Sequence, residues 1–235
     1  MGSNPIQIPE QPVNAAARPH RLPPPPEALQ LRDAAWHQES IARTLKHWDG
    51  HSDLWIFGYG SLIWRTEFPY QEARLGRIHG YHRALCLWSR VNRGTPERPG
   101  LVFSLGLGGS CAGRVYRVAS DGVPDIMRAL WVREMPSAAY IPRWLKCHTP
   151  QGVVPALVFT MDRSDSSYVP DLSLEQTVGV VRQGRGRYGP CLDYVLQTAD
   201  ALDAAGIYDQ RLRTLARALR LSTSSDQTVH HAVNR

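Results

Sequence analysis

The sequence predicts a single α+β domain rather than a doubly wound parallel sheet. Several short strand-like segments in mixed order occupy the middle of the chain, and helical segments at about 173–182, 192–205 and 209–219 follow them. No internal repeat is visible. The length of 235 residues with 43% hydrophobic content is enough for one well-filled core. We therefore expect one folded domain with appendages.

The two ends of the chain are predicted to lie outside that domain. Residues 1–30 are rich in proline, including four in a row at 23–26, which predicts a disordered or extended tail. Residues 31–50 carry apolar residues at mixed helical spacing and end in Asp49-Gly50, which predicts an N-terminal helix. The folded domain is then expected at 51–221, and the polar residues 222–235 are expected to form a disordered tail.

The first strand runs directly into a glycine-rich turn. Trp55, Ile56 and Phe57 are bulky residues typical of a buried strand, and Gly58 and Gly60 let the chain turn sharply around the next residues. Successive N–H groups in such a turn can converge on a carboxylate or an oxyanion, although many glycine turns have no such function. The segment lacks the third glycine of a dinucleotide fingerprint and the Gly-Lys-Ser/Thr of a phosphate loop.

Further strands are predicted on both sides of one helix. Residues 77–89 form one long strand or two strands joined at Gly80-Tyr81, and residues 101–105 and 111–118 indicate a hairpin around the glycines of 106–110. A second hairpin is predicted for 140–147 and 153–161, with its turn at 149–152.

The helix between these hairpins is predicted to begin near Pro124, a residue suited to a first turn. Ser120 and Asp121 are the candidate caps. One apolar stripe runs along the helix, made of Ile126, Met127, Leu130 and Trp131.

Glu134 shares the apolar face of this helix, three residues after Trp131. Pro136 disfavours a helical residue before it, so we expect the helix to end at about Glu134. Burial and the negative end of the helix dipole would both raise the pKa of this carboxyl and make it a better base. The alternative is a surface ion pair with Arg133 or Arg143.

The charge pattern favours a small anionic ligand over nucleic acid. The formal net charge is +6, but the basic residues are spread along the chain and only Lys46 and Lys146 are lysines. The densest cluster is Arg182, Arg185 and Arg187, which suits a solvated loop, the attraction of a substrate carboxylate or, least well, nucleic acid. We expect no nucleic-acid partner, and the sequence indicates no particular oligomeric state.

Metal, disulfide and membrane functions are not predicted. The cysteines Cys86, Cys111, Cys147 and Cys191 are scattered singly, which indicates free buried thiols in a reducing compartment. His79 and His82 have no third ligand nearby. No apolar stretch approaches the roughly 20 residues needed to span a bilayer, and no secretory signal is seen, so a cytoplasmic location is expected.

Eight short motifs in order resemble the ChaC family, the glutathione-specific γ-glutamylcyclotransferases. They cover about residues 54 to 208 and read FGYGSLIW (57–64), FPY (68–70), HGYHR (79–83), CLWS (86–89), RGTPERPGL (93–101), GGSC (108–111), REM (133–135) and LDY (192–194). The resemblance implies a small mixed β-barrel flanked by helices, with the turn and a glutamate facing one pocket. It also implies cleavage of glutathione to 5-oxoproline and cysteinylglycine without a metal or organic cofactor.

The resemblance also assigns residues. The catalytic carboxylate of the family falls on Glu134, and a tyrosine that lines its pocket falls on Tyr194. The substrate-binding turn falls on Ile56, Phe57, Gly58, Tyr59, Gly60, Ser61 and Leu62. Residues 184–191 are more basic than the loop usual in the family, which bears on the leaving group.

Other functions are less well supported by the residues. Ser61 lacks the Gly-x-Ser-x-Gly elbow of a serine hydrolase, and Cys191 is a possible but unsupported reactive thiol. The open alternatives are a cyclotransferase for another γ-glutamyl amine and a non-catalytic module that binds γ-glutamyl compounds. Only an enzyme needs a buried base at Glu134.

Overall fold

A closed, five-stranded β-barrel forms the centre of the protein in the computed structural model. The structure describes residues 31–170 and 172–232, and for 222–232 it describes the backbone alone. The strand order around the barrel is β1-β3-β2-β4-β5. Neighbouring strands are antiparallel except for β1 and β5, which run parallel where the barrel closes. The expected mixed barrel with flanking helices is confirmed.

The barrel strands differ greatly in length. They are β1 Leu54–Gly58, β2 Glu72–Ser89, β3 Gly100–Val118, β4 Tyr140–Thr149 and β5 Gly152–Met161. Two short strands outside the barrel, β6 Arg185–Gly186 and β7 Gly189–Pro190, form a small hairpin of their own. The hairpin predicted between residues 140 and 161 is therefore confirmed as β4 and β5.

The hairpin predicted around residues 106–110 is wrong, because β3 continues through these glycines as one strand. β3 pairs with β2 on both sides of them, with Tyr81 opposite Leu107 and His79 opposite Ser110. Gly108 and Gly109 have φ angles of +90° and +72°. Left-handed backbone at these positions produces a bulge that bends the two-stranded ribbon instead of reversing it. For β2, the single long strand is the correct alternative.

Within the described residues, five α-helices surround the barrel. They are α1 Ala34–Leu45, α2 Val123–Glu134, α3 Leu174–Gln183, α4 Cys191–Ala204 and α5 Gln210–Ala232. α2 has Pro124 in its first turn and ends at Glu134, as expected. The predicted caps are not observed, because Ser120 and Asp121 form a separate 3-10 turn and the N-cap position is taken by Gly122.

The C-terminal helix is longer than the sequence predicts. Residues 1–30 and 233–235, where tails were expected, lie outside the described residues. The backbone of α5 continues to Ala232, through most of the segment for which we expected a disordered tail. No glycine or proline follows Gly206, so nothing in the sequence interrupts the helix once it has begun.

β1 is buried on both faces. Trp55 and Phe57 belong to a core cluster that extends to α4 and α5, whereas Leu54 and Ile56 pack with α2. This explains the continuous apolar run in its sequence. In the part of the chain that the structure describes, no helix has the length and apolar character to cross a membrane. The four cysteines are buried and form no disulfide bond.

Candidate active site

A cavity of about 440 Å³ lies where β1 ends, beside the C-terminus of α2 and the start of α4. Six of the residues assigned from the sequence line it, namely Tyr59, Gly60, Ser61, Leu62, Glu134 and Tyr194. The other three, Ile56, Phe57 and Gly58, belong to β1 and do not reach the cavity wall. The structure therefore brings the turn, the glutamate and the tyrosine together from three distant parts of the sequence.

The turn is a short 3-10 helix, Ser61–Ile63, that begins directly after Gly60. Its first internal hydrogen bond is donated by Ile63 N to Gly60 O at 3.0 Å. The amides of Ser61 and Leu62 precede that bond and have no acceptor within the turn. The turn therefore offers two N–H groups to a negatively charged or carbonyl oxygen.

Close packing explains the two glycines of the turn. A Cβ atom on Gly58 would lie 2.9 Å from Leu62 Cβ, so a side chain there would push the turn away from the strand. A Cβ atom on Gly60 would lie 3.3 Å from the hydroxyl oxygen of Tyr194. Gly58 thus allows Leu62 to pack against the end of β1, and Gly60 allows the turn to approach α4.

Glu134 is the last residue of α2, and its side chain is 17% exposed. Arg133 Nε lies 2.9 Å from Glu134 Oε1, but its N–H does not point along that line, and Oε1 accepts no hydrogen bond. Burial raises the pKa of Glu134, Arg133 partly offsets this effect and Glu67 adds to it. The ion pair with Arg133 exists, but in the cavity wall and not at the surface, while Arg143 instead donates to Thr160 Oγ1.

Arg133 connects the turn to the end of α2. Its Nη2 donates to Ser61 Oγ at 2.9 Å, and its Nη1 donates to Arg65 O at 2.7 Å and to Glu67 Oε2 at 3.0 Å. Sequence reasoning considered Arg133 only as a surface partner for Glu134. These partners are far away in the sequence, so no local pattern identified this role.

Three tyrosines surround the carboxyl, and all three are hydrogen-bonded to the backbone of neighbouring strands. Tyr59 donates to Phe159 O at 2.7 Å, Tyr140 donates to Phe103 O at 3.0 Å, and the Tyr194 hydroxyl accepts from Phe103 N at 3.0 Å. Burial raises the pKa of each tyrosine, and the nearby glutamate raises it further. The three rings line the cavity together with the carboxyl. Tyr140 was missed, because nothing local distinguishes the first residue of β4.

Arg83 supports the turn from behind. Its side chain is 3% exposed, and its Nε donates to Tyr59 O at 2.6 Å. The same guanidinium donates to Ala112 O and forms an ion pair with Asp209, which precedes α5. Sequence reasoning missed Arg83, because an arginine within a strand normally faces solvent.

The basic loop after α3 is held against the cavity by Arg93. Arg93 Nη1 donates to Tyr188 O at 2.6 Å, and its guanidinium lies 5.2 Å from the centre of the Tyr194 ring. Burial lowers the pKa of Arg93. Of the predicted basic cluster, only Arg187 lines the cavity, where its Nε donates to Asn92 Oδ1 at 2.9 Å.

The alternative nucleophiles are not equipped for catalysis. His79 packs against His148 and His82 contacts Gly108 O, and neither lines the cavity that contains Ser61. Cys191 Sγ donates to Leu101 O at 3.1 Å, and burial raises its pKa to about 11. Among the described residues, no group of three or more His, Cys, Asp or Glu side chains is placed to hold a metal ion.

Known proteins resemble this chain over most of its length. The family described as ChaC-like protein matches residues 54–221. A glutathione-specific γ-glutamylcyclotransferase of Escherichia coli (strain K12) is 32% identical over 190 residues, which cover 80% of this chain and 82% of that protein. The human glutathione-specific γ-glutamylcyclotransferase 1 is 30% identical over 173 residues, covering 71% of this chain and 78% of its own length.

A solved structure shares the fold. The crystal structure of a yeast γ-glutamylcyclotransferase specific to glutathione matches with a TM-score of 0.66 at 21% identity. The match covers 72% of this chain and 96% of the yeast chain. At this identity the likeness concerns the fold alone.

Proposed function

The chain belongs to the family of ChaC-like proteins, and from this premise we propose that it cleaves glutathione into 5-oxoproline and cysteinylglycine. The observation that carries the proposal is the position of Glu134, a buried carboxyl with an unused acceptor, in one cavity with the turn after β1. A module that only binds its ligand has no need for such a group.

The reaction needs a base because the nucleophile is the substrate's own α-amine. An unperturbed α-amino group has a pKa of about 8, so near neutral pH most of it is protonated and cannot attack. Glu134 takes the proton from this ammonium group. The free amine then attacks the γ-carbonyl carbon, which closes the five-membered ring.

The same residue completes the reaction. When the bond between the γ-carbon and the cysteinyl nitrogen breaks, Glu134 delivers its proton to that nitrogen. Glu134 then carries the second proton, which the ring nitrogen must lose to become the lactam N–H, to the released amine. The products are 5-oxoproline and cysteinylglycine with an ammonium group, the carboxylate is restored and no water is consumed. Ring closure within one molecule benefits from effective molarities on the order of 10⁵ to 10⁸ M when the groups are well oriented. Much of the catalysis is therefore positioning.

The turn supplies that positioning. The free amides of Ser61 and Leu62 hold the γ-glutamyl head or the oxyanion that develops on its carbonyl oxygen. Arg133 donates a hydrogen bond to Ser61 and contacts Glu134, so it holds the binding turn and the base at a fixed distance from each other. Tyr59 and Tyr194 line the cavity around the same head group.

Four buried cysteines without a disulfide bond suit a reducing compartment, which supports a cytoplasmic location for this reaction. The partner is a small molecule, and the cavity volume is ample for a tripeptide.

The proposal is tested by measuring 5-oxoproline and cysteinylglycine released by the purified full-length protein from reduced glutathione. γ-Glutamyl-alanine and γ-glutamyl-lysine are run beside it under the same conditions. Equal amounts of both products from glutathione, with little turnover of the other two, support the proposal. Turnover of another compound alone would replace the leaving group but keep the reaction, and saturable glutathione binding without any product would indicate a binding module.

A further inference from the structure

Arg90 is a buried cation with two unused hydrogen-bond donors. The residue is 4% exposed, and it follows the last residue of β2. Its Nη1 donates to Ser167 Oγ at 2.9 Å. Its Nε and Nη2 are also buried, and they find no acceptor in the part of the chain that the structure describes. Because a buried charged donor without a partner is costly, such a group indicates a missing acceptor.

The guanidinium of Arg90 lies at the cavity described above. Arg90 and its partner Ser167 both line this cavity, so the bond between them places the charged end of the side chain at the wall. Asp165 is the acidic residue whose charge raises the pKa of Arg90. Its Oδ1 is occupied by Ser167 N at 2.7 Å, and it forms no ion pair with Arg90.

Arg90 and Glu134 line the cavity from different elements, because Arg90 follows β2 and Glu134 is the last residue of α2. Burial lowers the pKa of Arg90 and Asp165 partly offsets that effect, whereas the pKa of Glu134 responds to burial, Arg133 and Glu67. A ligand with its reacting end at Glu134 therefore meets a cation elsewhere along the same cavity.

We propose that Arg90 binds the C-terminal carboxylate of the leaving group, an inference that rests on the γ-glutamyl reaction proposed above. A carboxylate has two acceptor oxygens, and the pair of unused donors on Nε and Nη2 matches them in a bidentate arrangement. The subsite selects leaving groups that carry a free carboxylate and discriminates against amines that carry none.

The length of the leaving group adds a second level of selection. In cysteinylglycine the carboxylate is two residues from the bond that breaks, and two extended residues span at most about 7 Å. In a γ-glutamyl dipeptide the carboxylate is only one residue away. A fixed Arg90 therefore distinguishes a tripeptide from a dipeptide by the position of the charge.

The test compares two substrates that differ only at this carboxylate, namely glutathione and its C-terminal glycine amide. For the wild-type protein we expect kcat/KM for the amide to be lower by at least about 10-fold, chiefly through KM. In Arg90→Met, which keeps the volume but removes the donors, glutathione should fall to the level of the amide while the amide changes little. Arg90→Lys keeps the charge without the bidentate fork and should give an intermediate value.

Arg163→Met is the matched control, because Arg163 stacks on Tyr168 in the same loop as Ser167 but does not line the cavity. It should preserve the preference for glutathione. An equal loss for both substrates in Arg90→Met would show a structural role and overturn the proposal. A wild-type protein that turns over both substrates equally would also overturn it. Should neither substrate be turned over, the proposed function fails, and calorimetric binding of glutathione and the amide to wild type and Arg90→Met still decides the role of Arg90.

Discussion

Replacing Glu134 with glutamine removes the proposed base while keeping the size and shape of the side chain. Oε1 of Glu134 accepts no hydrogen bond in the structure, so no existing bond is broken there. Arg133 keeps its bonds to Ser61, Arg65 and Glu67 and is not left unpaired. The substitution is therefore local, and any loss of activity reports on the carboxyl itself.

The expected effect on kcat is at least 10²-fold. A positioned general base contributes about 10²–10⁴-fold, and here one group acts as base and then as acid. An amine with a pKa near 8 is roughly one-tenth unprotonated at pH 7, so raising the pH to about 9 should recover at most about 10-fold in Glu134→Gln. The remaining loss reflects the proton that glutamine cannot deliver to the departing nitrogen.

Stability should not fall with activity in this variant. Burial outweighs Arg133 and raises the pKa of Glu134 above 4.5, so the ionised carboxyl is less favourable in the folded protein than in the unfolded chain. At neutral pH a neutral glutamine removes this cost. We expect the free energy of unfolding of Glu134→Gln to be unchanged or higher by about 1 kcal/mol.

The assay measures initial rates of 5-oxoproline release from glutathione between pH 6 and pH 9, together with urea unfolding of both proteins. Glu134→Asp is the matched control, because it keeps the carboxylate but shortens the side chain by one methylene group. A folded Glu134→Gln protein with kcat within 10-fold of wild type would refute the assignment of Glu134 as the base.

Three further results are expected. The raised pKa of Glu134 predicts that kcat/KM falls as the pH is lowered through a value above the usual glutamate range, and that this limb is absent in Glu134→Gln; a limb at pH 4.5 would contradict the burial effect. Gly113→Ala should destabilise the protein by about 1–3 kcal/mol or more in urea unfolding, because its Cβ atom would lie 2.3 Å from the backbone oxygen at the end of β1. Gly179→Ala is the control and should be neutral or stabilising, because its Cβ atom would have no other atom within 4 Å. Arg83→Met should lower the free energy of unfolding by about 3 kcal/mol, because its acidic partner loses its counter-charge. The same substitution should raise KM, because Tyr59 O loses the hydrogen bond that holds the turn. An unchanged KM would show that the turn keeps its position without Arg83.

Sequence reasoning placed the candidate groups on the correct elements because its signals are local. Pro136 ends α2 at Glu134, and the carboxyl that follows an apolar stripe is therefore buried, as expected. The run from Trp55 to Gly60 likewise predicted a buried strand and a turn. Spacing, proline and glycine act within a few residues, so these features can be read without knowing the fold.

Tertiary pairing decided the path of β3. Gly108 and Gly109 are as suitable for a hairpin as for a bulge when read alone. The long β2 strand offers backbone partners on both sides of them, and this uninterrupted ladder makes the bulge the favourable choice.

The amino-acid sequence by itself determined the local elements of the site: the strand and its glycine turn, the end of α2 and the buried carboxyl there. Only the tertiary structure decided which groups surround them. Arg83, Arg90 and Tyr140 reach the site through contacts with residues distant in the chain, such as Tyr59, 24 residues away from Arg83, and Ser167, 77 away from Arg90. Such contacts follow from how the barrel closes and not from any local pattern, because burial of a polar side chain depends on what the rest of the fold places around it.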